Sequence, residues 1–302
     1  MKIIFLGTPE YASKHLEALL ESNYDIVGVV TQPDRPAGRG QRLLPSPVKE
    51  IALRANLPVF EKMKDIPFDS LKPDIGIVVA YGALIKEKYL NLLPLGFYNV
   101  HPSLLPKYRG AAPIQRAIEN GEKVTGVTLF KLTKELDAGP IAAQISVTID
   151  EYENFDSLET KLIKVGEKLL KDFLKDPTSF SLVPQDESQA TYAPKITAQD
   201  IVVDFNKSTE EVKNKIRAYD SRPGARTTLR GEFVKVFGVR KTDKTKYNEV
   251  PGTIVYIDHE GGHVTTVDGI VVISQIQFPS KKKVSFLEAM NGRLIKIKDR
   301  FV

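Results

Sequence analysis

The chain has 302 residues, 42% of them hydrophobic, and a formal net charge of +5. That apolar content supports one large packed domain or two ordinary ones, without metal or disulfide staples. The absence of cysteine excludes disulfides, thiolate nucleophiles and zinc–thiolate sites.

Met1–Leu6 is too short for a signal peptide, and no apolar run nears the ~20 residues that span a bilayer. A soluble cytoplasmic protein with no membrane partner is expected. Lys2–Leu6 reads as a buried strand and Tyr11–Ser22 as a helix. Asp25–Thr31, rich in Val and Ile, is the next strand. The loop Thr31–Pro47 carries Arg35, Arg39 and Arg42 among four prolines and two glycines, and is expected to be too irregular for helix or strand. Ser46-Pro47 then pairs an N-cap residue with Pro at the first helical position and opens a helix to about Ala55. Asp74–Ala80 and Gly96–His101 are strands, and Pro113–Asn120 is a helix closed by Gly121. Thr125–Leu132 and Ile141–Ile149 are strands on either side of a turn at Asp137, and Asn154–Asp176 is a long amphipathic helix. Strands alternating with crossover helices specify an α/β fold with a Rossmann-like, mostly parallel sheet over residues 1–183.

Residues 184–206 are mixed and polar, with an extended stretch expected at Gln189–Ala193, and read as a linker. In the second domain, 207–302, the helix Thr209–Asp220 precedes short strands at Phe233–Val239, Gly252–Ile257, His263–Val267 and Gly269–Gln277. This is the pattern of a small β-barrel. From Lys207 onward there are 19 Lys and Arg against 11 Asp and Glu, whereas the first 206 residues carry 24 against 27. The positive surplus therefore lies wholly in the C-terminal part, which points to a polyanionic partner there. A solvated basic surface is the plainer alternative.

Asn99 and His101 lie two apart at the end of a strand, so they point to one face. Open parallel sheets hold ligands outside such strand ends. An amide donor, a titratable imidazole and a carboxylate such as Asp137 are what acyl transfer needs. Ser103 follows closely but lacks the surroundings of a nucleophile elbow, and is expected to bond the loop backbone. Gly7-Thr8-Pro9 has the spacing of neither a dinucleotide fingerprint nor a phosphate loop, which argues against NAD and ATP. The four histidines are scattered, so no metal site is expected. The arginines of the Thr31–Pro47 loop suit phosphate contacts at a nucleic-acid end. Arg222 and Arg226, with Lys281, Lys282 and Lys283, are further phosphate-contact candidates.

Several segments occur in order along the first half: Gly7-Thr-Pro9, Thr31-Gln-Pro-Asp-Arg-Pro-Ala-Gly-Arg-Gly40, Val79-Ala-Tyr-Gly82, Asn99-Val-His-Pro-Ser-Leu-Leu-Pro106, Arg109-Gly-Ala-Ala-Pro-Ile-Gln115 and Leu136-Asp-Ala-Gly-Pro140. Through them the chain resembles the 10-formyltetrahydrofolate-dependent formyltransferases. The resemblance implies attack by an amine on the formyl carbon of that folate co-substrate. Asn99 and His101 would donate to the oxyanion, and Asp137 would favour the charged imidazole and relay a proton through water. Val79, Ala80, Tyr81, Gly82 and Leu84 would bind the folate together with Ser103, Leu104, Leu105 and Pro106, with Leu105-Pro106 a candidate cis bond. The family's tRNA-specific members append an OB-like barrel, and the Thr31–Pro47 loop matches their insertion. The implied acceptor is therefore methionyl-initiator tRNA, approached by Arg39 and Arg42. A monomer is expected. One departure is the lack of tryptophan: Arg222 and Phe205 stand where relatives often carry one.

Two rivals stay open. The same catalytic half could formylate an amino-sugar nucleotide or a small amine, or it could be silent in a tRNA-binding protein.

Overall fold

Four wholly buried residues, Ile3–Leu6, make β1 (Lys2–Gly7) the middle of a sheet. The computed structural model describes residues 1–37, 42–242 and 248–302. α1 (Glu10–Glu21) and β2 (Asp25–Val30) follow β1. Next come two short strands, β3 (Arg35–Ala37) and β4 (Arg42–Leu44), paired antiparallel. This corrects the expectation of an irregular Thr31–Pro47 loop. A two-stranded ribbon is all edge, so Pro36 removes no donor that a central strand would need. Arg39 lies outside the described residues, as does the side chain of Arg42.

α2 (Pro47–Arg54) begins as expected, with Ser46 Oγ accepting from Lys49 N at 3.1 Å. The chain continues through β5 (Val59–Phe60), α3 (Phe68–Leu71), β6 (Ile75–Val79), α4 (Glu87–Leu90), β7 (Phe97–His101), β8 (Arg109–Gly110), α5 (Pro113–Glu119), β9 (Val124–Lys131), β10 (Ile141–Thr148) and α6 (Phe155–Lys175). The main sheet runs β10-β9-β7-β6-β1-β2-β5. Its pairings from β7 through β5 are parallel, and β9 is antiparallel to β7. This is the expected Rossmann-like, mostly parallel sheet.

β7 has two buried faces with different jobs. Tyr98 packs on Phe173 of α6, ring centroids 4.7 Å apart. Val100 lies 3.3 Å from where a Cβ on Gly166 would stand, and His15 Nε2 only 2.5 Å from it. Gly166 is thus the gap through which α6 approaches the sheet and α1. On the other face stand Phe97, in a core with Leu6, Val78 and Tyr81, then Asn99 and His101.

The chain forms two compact units. The first comprises Met1–Gly110, Thr125–Val147 and Glu159–Tyr192, and the second comprises Ala111–Val124, Thr148–Leu158 and Ala193–Val302. After α6 come β11 (Tyr192–Ala193), α7 (Thr209–Tyr219), β12 (Ala225–Leu229), β13 (Glu232–Lys241), β14 (Ile254–Ile257), β15 (Gly262–Thr265), β16 (Ile270–Gln277), β17 (Lys283–Ser285) and α8 (Phe286–Asn291). In the second unit α5 is fastened near α7 through Glu119, which accepts from Tyr219 Oη and Arg116 Nη1, each at 2.8 Å, and from Lys215.

The antiparallel sheet runs β12-β13-β16-β15-β14, with β17 on β16. Both its edges meet the same C-terminal residues. Thr228 N donates to Val302 O at 3.0 Å, and Ile254 N to Asp299 O at 2.8 Å. Bridges Leu229–Phe301 and Thr253–Arg300 complete the seam. The seam closes the sheet into a small barrel, as expected of the C-terminal part. Among the described residues, no helix is long and apolar enough to cross a membrane.

Candidate active site

β7 ends at His101 and the chain turns at once. Ser103 N bonds back to His101 O at 2.9 Å, and buried Ser103 Oγ donates to Lys107 O at 2.6 Å. Thr128 Oγ1 on β9 donates to Ser103 O at 2.6 Å and accepts from Leu105 N at 3.1 Å. Gln144 Nε2 on β10 donates to Leu105 O at 2.8 Å. The Leu105–Pro106 peptide is cis. So wrapped, the loop brings Tyr108 O within 2.9 Å of His101 Nε2. A carbonyl only accepts, which assigns the hydrogen to Nε2 and leaves Nδ1 as the working nitrogen.

Asp137 faces that nitrogen, its Oδ2 3.9 Å from His101 Nδ1. The Asp137 backbone is left-handed at φ +50°. Gly110 N donates to its Oδ2 at 2.8 Å. His101 and Asp137 are 4% and 8% exposed. Half-buried Asn99 lies two residues before His101 on the same face of β7, and its amide makes no hydrogen bond among the described residues. The arrangement therefore offers an uncommitted amide donor, an imidazole nitrogen and a fixed carboxylate. Only the doubly protonated ring can donate from Nδ1; the neutral ring can only take a proton there.

The segment leaving β6 is unusual in its backbone. Val79 is buried, and Ala80 and Gly82 follow at φ +44° and +81°. The Tyr81 side chain is buried, which pushes its hydroxyl pKa up, and Tyr81 O accepts from Thr8 Oγ1 at 2.8 Å. Leu84 is 72% exposed. Leu105 is buried, and Leu104 and Pro106 are half-buried. Gly7 has a packing reason rather than a phosphate-binding one: a Cβ there would lie 2.7 Å from Ala12 Cβ and 3.0 Å from Val79 O.

Of the basic candidates, Arg35 is exposed on β3. The rest lie in the second unit. Arg222 pairs with Asp156 at 3.4 Å and lies 5.4 Å from the Phe155 ring. Arg226 and Lys283 each sit 3.7 Å from a ring centroid of β13, Phe233 and Phe237 respectively. Lys281 is 5.9 Å from the Phe278 ring, and Lys282 is exposed. Asp258, Glu260 and His263 have ligand-type atoms within 4.8 Å of one another. Those atoms are already engaged, Asp258 with His263 at 3.1 Å and Glu260 with Arg240.

Sequence reasoning missed Thr128, Gln144, Arg109, Gln185 and Glu187. Arg109 is 2% exposed and bonded to both Gln185 and Glu187; its guanidinium holds the Glu187 carboxyl below the usual carboxylate range. Its place in the Arg109–Gln115 motif was the one available signal. Gln185 and Glu187 lie in the polar stretch read as a linker and gave none.

Residues 1–174 match the profile described as Formyl transferase, and residues 195–294 the one described as Formyl transferase, C-terminal domain. The methionyl-tRNA formyltransferase of Pseudothermotoga lettingae is 66% identical over 301 residues, covering 100% of this chain and 99% of its own. That of Thermotoga maritima is 52% identical over 303 residues, covering 98% and 96%. Among solved structures, HypX from Aquifex aeolicus in complex with tetrahydrofolic acid has a TM-score of 0.69 at 22% identity. It matches 99% of this chain, which spans about half (48%) of HypX. An N-formyltransferase from Helicobacter canadensis, in complex with folinic acid and dTDP-3-aminofucose, has a TM-score of 0.67 at 20% identity over 92% of this chain and 100% of its own. Those two likenesses are of fold alone. With both segments matched and such similar relatives along its whole length, the chain belongs to the formyl transferase family of enzymes.

Proposed function

We propose that this chain transfers the formyl group of 10-formyltetrahydrofolate to the α-amino group of methionyl-initiator tRNA, in readiness for translation initiation. The observation that carries the chemistry is the Asp137 carboxylate 3.9 Å from His101 Nδ1, at the strand end that also bears the Asn99 amide. The acceptor is supported by the full-length relatives named methionyl-tRNA formyltransferase.

The folate supplies an activated formyl carbonyl. Asn99 donates to the oxygen on which charge develops, an interaction worth about 3–4 kcal/mol when such a donor is removed elsewhere. His101 adds a second donor from Nδ1 in its doubly protonated form, Nε2 being held by Tyr108 O. The Asp137 carboxylate, fixed by Gly110 N, accepts through water the proton the attacking ammonium must lose and returns it to N10 of the folate as the bond from the formyl carbon to N10 breaks. Exposed backbone at Ala80 and Gly82, with Leu84, fits a flat pterin that needs backbone partners beside an apolar surface. Leu104, Leu105 and Pro106 form the facing wall, and Ser103 supports it from within.

In this reading residues 1–183 carry the reacting groups, 184–206 join the parts while packing Gln185 and Glu187 against the first unit, and 207–302 bind tRNA. Arg39 and Arg42 approach the acceptor end, while Arg35, Arg222, Arg226, Lys281, Lys282 and Lys283 meet phosphates, so binding weakens steeply with salt. The enzyme acts as a cytoplasmic monomer without metal. The deciding experiment offers the protein 10-formyltetrahydrofolate with charged initiator or elongator methionine tRNA. Preferential formylation of the initiator is expected. Transfer to an amino-sugar nucleotide with indifference to tRNA, or tRNA binding without transfer, would overturn the proposal.

A further inference from the structure

A guanidinium at 2% exposure, such as that of Arg109, is tolerated only when its donors are met. Arg109 Nε and Nη2 donate to Gln185 Oε1 at 3.1 and 2.7 Å, and Nη1 and Nη2 fork onto Glu187 at 2.9 and 2.7 Å. Arginine can only donate, so the oxygen of the Gln185 amide must face it and the nitrogen must point away. That nitrogen donates to two carbonyls, Asp137 O and Gly139 O, each at 2.8 Å. On either side of Arg109 the backbone grips the catalytic pair: Tyr108 O holds His101 Nε2, and Gly110 N holds Asp137 Oδ2. Asp137 occupies a left-handed conformation at φ +50°, which a non-glycine residue adopts only at a cost in strain. Its orientation therefore depends on the bonds that hold it.

We propose that Gln185, oriented by the Arg109–Glu187 pair, is a positioning residue for formyl transfer, holding the Asp137 turn so that its carboxylate faces His101 Nδ1. This rests on the reading of Asp137 as catalytic. The stretch after α6 thereby supplies part of the catalytic apparatus, and Glu187, whose side chain is 68% exposed, is its outer anchor.

The test is a cycle on the full chain, with 10-formyltetrahydrofolate and charged initiator tRNA. Gln185→Glu keeps the acceptor for Arg109 and loses the donor to the turn. It should lower kcat by about 10–100-fold, since ~1 Å of misplacement can cost about 10²-fold. KM for both substrates should stay within about twofold. In an Asp137→Asn background the same change should cost less than about twofold, because its effect runs through the carboxylate already removed. Protonating the introduced carboxyl restores a donor, so the Gln185→Glu deficit should shrink as pH falls, whereas that of Gln185→Leu should not. Equal losses in both backgrounds, unchanged kcat, or a change confined to KM would each overturn the proposal. Near-native turnover by Asp137→Asn alone would remove the catalytic assignment and the positioning role with it, a distinct result. Should Gln185→Glu fail to fold, Glu187→Gln at the exposed end of the chain of bonds is carried through the same cycle, with the same outcomes deciding.

Discussion

Gly139 gives a sharp test of how tightly the Asp137 turn must be held. A Cβ at Gly139 would stand 1.8 Å from Lys131 O, against the 3.0 Å below which real Cβ contacts essentially do not occur. Lys131 cannot yield, because it is paired in the sheet with Tyr98 and its own N–H bonds Pro140 O at 2.9 Å. In Gly139→Ala the turn must therefore retreat by about 1.2 Å. The Gln185 amide bonds the carbonyls of both Gly139 and Asp137, so the carboxylate moves with the turn. A misplacement of ~1 Å is worth about 10²-fold in rate. Overpacking costs about 1–3 kcal/mol, less than the ~5–15 kcal/mol that holds typical domains folded, so the variant should remain folded at 25 °C. The assay is steady-state kcat and KM for both substrates, with thermal unfolding measured beside it. The expected result is a kcat lower by about 10²-fold, with KM nearly unchanged. A folded variant with kcat within about threefold of the parent would refute the reasoning, since the turn would then tolerate the displacement.

Asn99→Ala should lower single-turnover formyl transfer by about 10²–10³-fold without raising the KM of either substrate; a pure KM effect would make Asn99 a binding group instead. Burial pushes the His15 imidazole down to about 4, so the folded state refuses a proton that the unfolded chain accepts near its ordinary 6.5. That contribution is fully present above pH 6.5 and is lost as pH falls through about 4, roughly 3 kcal/mol in all. Urea unfolding of His15→Leu should lack this slope between pH 6.5 and 4. Glu119→Ala should destabilise the second unit by roughly 2–3 kcal/mol, because Arg116, Lys215 and Tyr219 lose a shared partner. Denaturant titration would measure it, and an unchanged midpoint would show the network to be idle. Arg226→Ala should weaken tRNA binding across all tRNAs tested and flatten the salt dependence by about one unit of slope.

The main sheet was readable because its strands are continuous apolar runs bounded by Gly, Pro and cap residues; Ile3–Leu6 and the Ser46-Pro47 start are cases in point. β12 was not, since Ala-Arg-Thr-Thr-Leu carries little apolar weight, and its buried face includes Thr227, whose hydroxyl donates to Val302 O at 3.3 Å. That partner lies 75 residues away, beyond any local pattern. β3 and β4 were hidden by Pro36, which is harmless only because the pairing is a ribbon. At the site, the Asn99–His101 spacing was visible on one strand. The choice of Nδ1 over Nε2 was not, because it depends on a carbonyl seven residues later. Gln185 was invisible for the same reason: its partners are 46–76 residues upstream.

The barrel seam has a consequence for how this protein is made. On a ribosome, β12 and β14 emerge long before residues 299–302, and until those arrive both strands expose unmet amide and carbonyl rows of the kind that recruit other chains. The second unit also draws on residues 111–124 and 148–158. These earlier-made pieces must therefore wait for the seam residues, and a nascent chain stalled just short of the seam would be the species most in need of a chaperone.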